Sequence, residues 1–283
     1  MKWTTGRGGL SSAVVAAVVL AGTAACTSSG EPDDDERRAT PVSLTALRSA
    51  ERSTGRAASA RVRSTAVMGT ALSLKATGAL GWGDGLTGTL TITYTGGTTA
   101  RTMRDLGITS MEARYLSDAY YARTGEAFAA KTGGKHWLRY AYDDLEGLGA
   151  GANFADQMRN ITPNQSVKLL LDSEDVHEVG EETVEGRRAT HYSGTVTVED
   201  VTDSGLRKQL EQAGVTTESV DIWVDERNLL VKKVEQGRTT TGEYSQTAYY
   251  SDYGTDVAVE APPANDTADF SELLRRQGGG SGS

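Results

Sequence analysis

Apolar residues follow two different periods along this chain, and the first of them predicts a helix. Leu44, Leu47 and Ala50 recur at helical spacing before Gly55. The pair Thr40-Pro41 precedes them and supplies an N-cap and a first-turn proline, both of which favour the start of a helix. A helix is therefore predicted over residues 40–55.

Two shorter helices are predicted further along the chain by their end signals. Thr162-Pro163 repeats the cap and proline signal ahead of an apolar stripe that reaches Leu171. Asp203 stands where it can cap a third helix, which Gly214 ends. Helices are expected at residues 162–171 and 203–213.

The second period is two, and it predicts β-strands with one apolar face. Apolar and polar residues alternate over 72–80 and again over 89–95. The glycine- and aspartate-rich stretch 81–85 lies between them and predicts a hairpin turn. Further strands are expected at residues 111–123, 136–142, 176–184, 188–198, 220–225, 229–236 and 246–253. The fold class is therefore expected to be α+β and mainly β.

The first 25 residues have the order of a secretory signal peptide. Lys2 and Arg7 precede an apolar run over residues 10–25. This run is short and is diluted by Gly22 and Thr23, whereas a transmembrane helix needs about 20 apolar residues. Export with removal of residues 1–25 is therefore predicted.

Cys26 is the only cysteine and directly follows the small residues Thr23-Ala24-Ala25. In bacterial lipoproteins a cysteine at this place receives a diacylglyceryl group and becomes the mature N-terminus. Such proteins usually have leucine three residues before the cysteine, where this chain has threonine. The alternative is ordinary cleavage after Ala25, which leaves a free thiol. We expect a lipid on Cys26 that anchors the protein to the extracytoplasmic face of the cell membrane.

The rest of the chain divides into a tether, one domain and a tail. Residues 26–39 are polar and acidic without an apolar face, which is typical of a flexible tether. A single domain is expected over 40–264, and a flexible Gly/Ser-rich tail over 265–283.

Loss of Lys2 and Arg7 with the signal changes the formal net charge from −9 to −11. A protein of this negative charge is not expected to bind nucleic acid or anionic headgroups through general electrostatic attraction. The protein is also expected to be a monomer.

The sequence lacks the common catalytic and metal-binding motifs built on nucleophiles, histidines and acids. The folded region has no Gly-x-Ser-x-Gly, and the sequence has no His-Glu-x-x-His. His136, His177 and His191 have no partners that the sequence identifies, so a structural or surface role is expected for each. The chain is not expected to be an enzyme or to hold a metal or cofactor. A spatial cluster of the three histidines with acids is the alternative.

The stretch Gly83–Gly88 formally matches the dinucleotide-binding fingerprint. That motif holds a pyrophosphate only where it opens a helix, and here a strand begins at Thr87. A hairpin turn is therefore expected.

The end of the chain resembles a known family. Residues 250–263 read Tyr-Ser-Asp-Tyr-Gly-Thr-Asp-Val-Ala-Val-Glu-Ala-Pro-Pro, after a hairpin formed by Val220–Asp225 and Leu230–Val234. With the opening helix after Cys26, these features resemble LppX, LprG and related actinobacterial lipoproteins of LolA-like fold. The resemblance implies a curved antiparallel sheet that forms an unclosed half-barrel around a few helices. It also implies a hydrophobic cavity for the acyl chains of lipids or lipoglycans.

The leading functional hypothesis is a noncatalytic lipoprotein that binds a lipid or other amphiphile, with a role in lipid transport to the cell envelope. Burial of each methylene is worth about 0.8 kcal/mol, so acyl chains suit an apolar space. The alternative for the same residues is that they pack on the helices and leave no void. A second hypothesis is a protein-binding or envelope-sensing module of the same fold without lipid cargo. The candidate cavity-lining residues are Leu72, Leu74, Leu90, Ile92, Tyr94, Tyr192, Val196, Val220, Ile222 and Val224.

Overall fold

The structure is a computed structural model that describes residues 41–146, 162–239 and 242–278. The predicted signal peptide, the predicted tether and Cys26 lie outside the described residues. The described residues belong to one compact unit, which contains all of the elements below.

Seven α-helices occur in the described part of the chain. They are α1 Pro41–Arg56, α2 Gly97–Asp105, α3 Glu126–Ala129, α4 Tyr142–Glu146, α5 Asn164–Leu171, α6 Ser204–Ala213 and α7 Phe270–Gly278. Helices α1, α5 and α6 lie where the sequence predicts them. Asp203 caps α6 by accepting hydrogen bonds from the backbone N–H groups of Gly205 and Leu206, both at 3.1 Å. Among the helices of these described segments, none is long and apolar enough to cross a membrane.

The described residues also form one sheet of twelve strands. The strands are β1 Ser59–Met68, β2 Leu72–Gly81, β3 Thr87–Gly96, β4 Ser110–Tyr115, β5 Ala119–Arg123, β6 Trp137–Ala141, β7 His177–Val184, β8 Arg187–Thr197, β9 Thr217–Asp225, β10 Leu230–Thr239, β11 Gly242–Ser251 and β12 Thr267–Asp269. Their order is β12-β6-β5-β4-β3-β2-β1-β11-β10-β9-β8-β7, so β12 and β7 are the two edges of an open sheet. All neighbours pair antiparallel except β12 and β6, which pair parallel.

The predicted hairpin is formed by β2 and β3. Their register pairs Ala76 with Ile92 and Leu80 with Gly88. The connection between them contains Gly85 at φ 101°, a left-handed conformation that glycine adopts readily. A strand follows this turn, so the stretch that matches the dinucleotide fingerprint is a hairpin turn, as the sequence analysis expected.

Helices α1 and α5 pack together and cover the inner face of the sheet. Leu47 of α1 and Val167 of α5 are fully buried, and so are Val220 and Ile222 on β9. Because the strands alternate, every second residue of β9 faces these helices. The main hydrophobic core lies between the two layers.

The C-terminal segment differs from the predicted tail that begins at residue 265. Residues 267–269 form β12 against β6, and α7 follows directly. Phe270 lies 4.7 Å from the ring of Tyr140, and Asp266 accepts a hydrogen bond from the backbone N–H of His136 at 2.9 Å. A three-residue strand is too short to show a period in the sequence, which explains the difference. Residues 279–283 lie outside the described residues.

Candidate functional site

An apolar cavity of about 690 Å³ lies between the β3–β6 part of the sheet and helices α2, α3, α4 and α7. This volume is within the usual range of small-molecule sites. Its lining residues are mainly aliphatic and aromatic: Tyr94, Met103, Leu106, Ile108, Met111, Tyr120, Ala122, Arg123, Thr124, Phe128, Leu138, Tyr140, Leu145, Phe270 and Leu274.

The strands and helices contribute to this cavity in different ways. Tyr120 and Ala122 are two residues apart on β5, so they face the same side of the sheet. Met103 of α2 and Leu274 of α7 close the space from other sides. Leu274 is 38% exposed although it is a large apolar residue, which indicates that the cavity has an opening beside α7.

A row of aromatic rings forms one wall of the cavity. The ring of Tyr120 lies 5.2 Å from that of Tyr115 and 5.7 Å from that of Tyr140, and Phe270 stands next in the row. Burial raises the pKa of Tyr140 to about 12 and raises the pKa of Tyr120 as well. Burial also raises the pKa of Tyr94, whose hydroxyl lies 3.3 Å from the sulfur of Met111. These tyrosines stay neutral at physiological pH and give the wall an uncharged surface.

The predicted lining residues are placed in several parts of the interior. Tyr94 borders the cavity. Leu74 and Ile92 are partly buried and pack against the main core, and Leu72 is half-buried near the end of β2. The other six are buried in the main core: Leu90, Tyr192, Val196, Val220, Ile222 and Val224. Nine of the ten therefore lie outside the lining of this cavity. Four of them are on β2 and β3, and the other five are on β8 and β9, against which α5 packs. A ligand-binding role for them stays a prediction.

The three histidines lie in different parts of the sheet, and two of them have carboxylate partners. The ring of His136, beside β6, lies 2.7 Å from Asp266, and this hydrogen bond is the main reason why its pKa is raised. His191 on β8 lies between Glu182 at 3.0 Å and Asp221 at 2.8 Å. His177 on β7 contacts the backbone oxygen of Asp175. Glu182 and Asp221 are on neighbouring strands, and Asp266 directly precedes β12, far along the chain from His136. Nothing in the local sequence identifies these partners.

In the described segments of the chain, no group of three or more His, Asp or Glu side chains is arranged to hold a metal ion.

Sequence reasoning also missed a buried polar cluster on the inner face of β9–β11, formed by Ser166, Glu218, Lys233, Glu235 and Tyr244. The ammonium of Lys233 lies 2.8 Å from Glu235, which also accepts a hydrogen bond from Ser166 of α5 at 2.5 Å. Burial acts to lower the pKa of Lys233, but the charge and the hydrogen bond of Glu235, together with Tyr250 and Glu218, outweigh it and raise that pKa. For Glu218, burial and then the charge of Glu235 raise the pKa to about 8. The hydroxyl of Tyr244 lies beside Glu218.

Comparison with known proteins gives two kinds of relative, while no family model matches the sequence. The Streptomyces coelicolor protein named "Putative lipoprotein SCO4650" is 66% identical over 241 residues, which cover 84% of this chain and 79% of that protein. Mycobacterium tuberculosis lipoprotein LppX matches with a TM-score of 0.52 at 15% identity, over 78% of this chain and 100% of that one. LprF from Mycobacterium bovis matches with a TM-score of 0.51 at 14% identity, over 80% of this chain and 100% of that one. The predicted open, mainly β fold of LolA type is confirmed.

Proposed function

Since this chain belongs to the family of the Streptomyces coelicolor lipoprotein and has the LolA-like fold of LppX/LprG-type lipoproteins, we propose that it binds a lipid or other amphiphile in its apolar cavity. It is an envelope-associated lipoprotein. We further propose that the lipid on Cys26 holds the protein at the outer face of the cell membrane. There the protein takes up a lipid from the membrane and carries this ligand into the envelope.

The observation that carries the proposal is the cavity between β3–β6 and α2, α3, α4 and α7. Its wall is aliphatic and aromatic, and its volume is about 690 Å³. If a methylene takes about as much space as a water molecule, roughly 30 Å³, the cavity holds about twenty such groups. That is the size of one long acyl chain. At about 0.8 kcal/mol for each buried methylene, such a chain is a strong ligand for this space.

The tether supports uptake from the anchoring membrane. Residues 26–39 can extend over some tens of ångströms at about 3.3 Å per residue. The domain can therefore turn different sides towards the membrane while Cys26 stays anchored. This reach also suits delivery to a layer outside the membrane.

A filled interior with an exposed apolar patch would favour a protein-binding module of the same fold. The open apolar cavity favours the lipid ligand instead. Protein that is purified from its native host should release a lipid on organic extraction, in near-equal molar amount, as measured by mass spectrometry. Repeated recovery of empty protein would contradict the proposal.

A cavity-blocking variant ties the bound lipid to this site. Ala122 lies on the cavity wall, so Ala122→Trp should fill part of the space and lower the recovered lipid severalfold. Ala130→Trp is the matched control, because Ala130 is exposed and does not line the cavity. Leu106→Trp, at the half-buried end of α2, is a second blocking variant in case Ala122→Trp does not fold. Normal lipid content in both folded blocking variants would place the lipid elsewhere.

A further inference from the structure

Strands β4 and β5 separate at one end, and this opens the sheet beside the apolar cavity. The two strands pair only at Ala113, Arg114 and Tyr115. By contrast, β4 pairs with β3 over six residues and β5 pairs with β6 over five. Hydrogen-bonded strands lie about 4.8 Å apart. Residues 110–112 of β4 and residues 123–125 at the end of β5 are not paired with each other, so a gap lies between them.

A polar hollow of about 390 Å³ lies at this gap and continues the cavity. The two spaces share the lining residues Ile108, Met111, Arg123 and Thr124. The hollow also has hydroxyl groups in its wall, from Thr91 and Ser110 among others. An apolar space therefore adjoins a more polar one, which is the arrangement of an amphiphile with its chain and its headgroup.

Charged groups of the hollow are already paired, with one exception. Glu112 lies 2.8 Å from Arg114, and Glu126 lies 3.5 Å from the ring of His136. Arg123 is exposed, and its charge acts on Asp266, but it makes no hydrogen bond or ion pair with the described residues. A guanidinium group offers five donors in a planar fork that matches a carboxylate or phosphate. Arg123 is therefore the group of the hollow that is available to an anionic ligand.

We propose that the hollow is the headgroup subsite of the bound amphiphile, in which Arg123 binds an anionic oxygen group, a phosphate or a carboxylate. This inference rests on the proposed lipid-binding function and adds the orientation of the ligand and the class of its headgroup. The strongly negative net charge of the chain repels anions in general. Recognition through Arg123 is local and needs the acyl chain in the cavity to hold the headgroup in place.

Two probes with the same palmitoyl chain test the subsite: monopalmitoyl glycerol phosphate and monopalmitoyl glycerol. Isothermal titration calorimetry of the mature protein, with each probe below its critical micelle concentration, measures the two affinities. We expect the phosphate probe to bind about tenfold more tightly, the effect of one charge-assisted contact. Arg123→Gln should abolish this difference by weakening the binding of the phosphate probe. Arg123→Lys should keep part of it.

Arg207→Gln is the charge-matched control, since Arg207 lies on α6 and does not line either space. It should keep the full preference for the phosphate probe. Inorganic phosphate at equal concentration should not compete with monopalmitoyl glycerol phosphate. Effective competition would indicate a site for free phosphate and overturn the headgroup assignment.

The two proposals fail in different ways. If wild-type protein binds both probes and Arg123→Gln leaves their ratio unchanged, the headgroup subsite is refuted while the lipid-binding function stands. If the wild-type protein binds neither probe and also carries no lipid from its native host, the lipid-binding function itself is refuted.

Discussion

Replacing Glu218 by glutamine should flatten the pH dependence of stability, because this carboxyl is buried in the polar cluster of β9–β11. Glu218 is 3% exposed, and burial together with the charge of Glu235 raises its pKa from 4.5 to about 8. Below the unfolded pKa, both the folded and the unfolded state carry a proton on this group. As the pH rises towards about 8, the unfolded state loses that proton while the folded state keeps it, so unfolding becomes more favourable.

The size of the effect follows from the pKa difference. Each unit corresponds to about 1.4 kcal/mol, so the wild-type protein should lose roughly 3 to 4 kcal/mol of stability between about pH 5 and about pH 8 through this one group. That is a large part of a typical unfolding free energy of about 5 to 15 kcal/mol. The Glu218→Gln variant has no titrating carboxyl at position 218 and should not show the loss that this group causes.

Urea unfolding followed by tryptophan fluorescence across this pH range measures the difference between the two proteins. The free energy of unfolding of Glu218→Gln should exceed that of the wild type increasingly as the pH rises. Glu211→Gln is the matched control, because Glu211 is exposed on α6, and its profile should run parallel to the wild type. Parallel profiles for Glu218→Gln would refute the raised pKa of Glu218.

Three further predictions concern the anchor, a helix cap and the C-terminal segment. Cys26→Ser should release the protein into the medium or block its processing in a cell fractionation experiment; membrane retention of a normally processed product would refute the lipid anchor. Asp203→Ala removes the cap of α6 and should cost about 1 kcal/mol in urea unfolding, and an unchanged midpoint would contradict the capping geometry. Truncation after Pro263 removes β12 and α7, including Phe270 of the cavity wall. It should lower both the melting temperature and the affinity for monopalmitoyl glycerol, and unchanged affinity would show that α7 is not part of the binding site.

Local signals predicted those parts of the fold in which each element carries its own start, stop or period. Helix α6 is an example, because the Asp203 cap and the Gly214 end lie within one short segment. The β2–β3 hairpin is another, because alternation and the glycine-rich turn are adjacent in the sequence. Helix α2 has no side-chain cap. Helix α7 has one, since Asp269 accepts hydrogen bonds from the backbone N–H groups of Ser271 and Glu272, but the prediction of a tail from residue 265 left this signal out. The cavity needs both helices. The sequence therefore predicted the apolar face of the sheet but not the part of that face that stays uncovered.

The sequence by itself determined the period of each strand and the ends of the main helices, because these depend on neighbouring residues. It also predicts an export signal over residues 1–25, directly before Cys26. Only the tertiary structure decided which residues of β10 face inward. A β-bulge between Leu230 and Lys232 shifts the register, so that Lys233 lies opposite Ile222. Since a shift of one residue exchanges the two faces of a strand, this bulge directs Lys233 and Glu235 into the interior. The pairing of β10 with β9 fixed that position, and the short pairing of β4 with β5 left the gap beside which Arg123 lies.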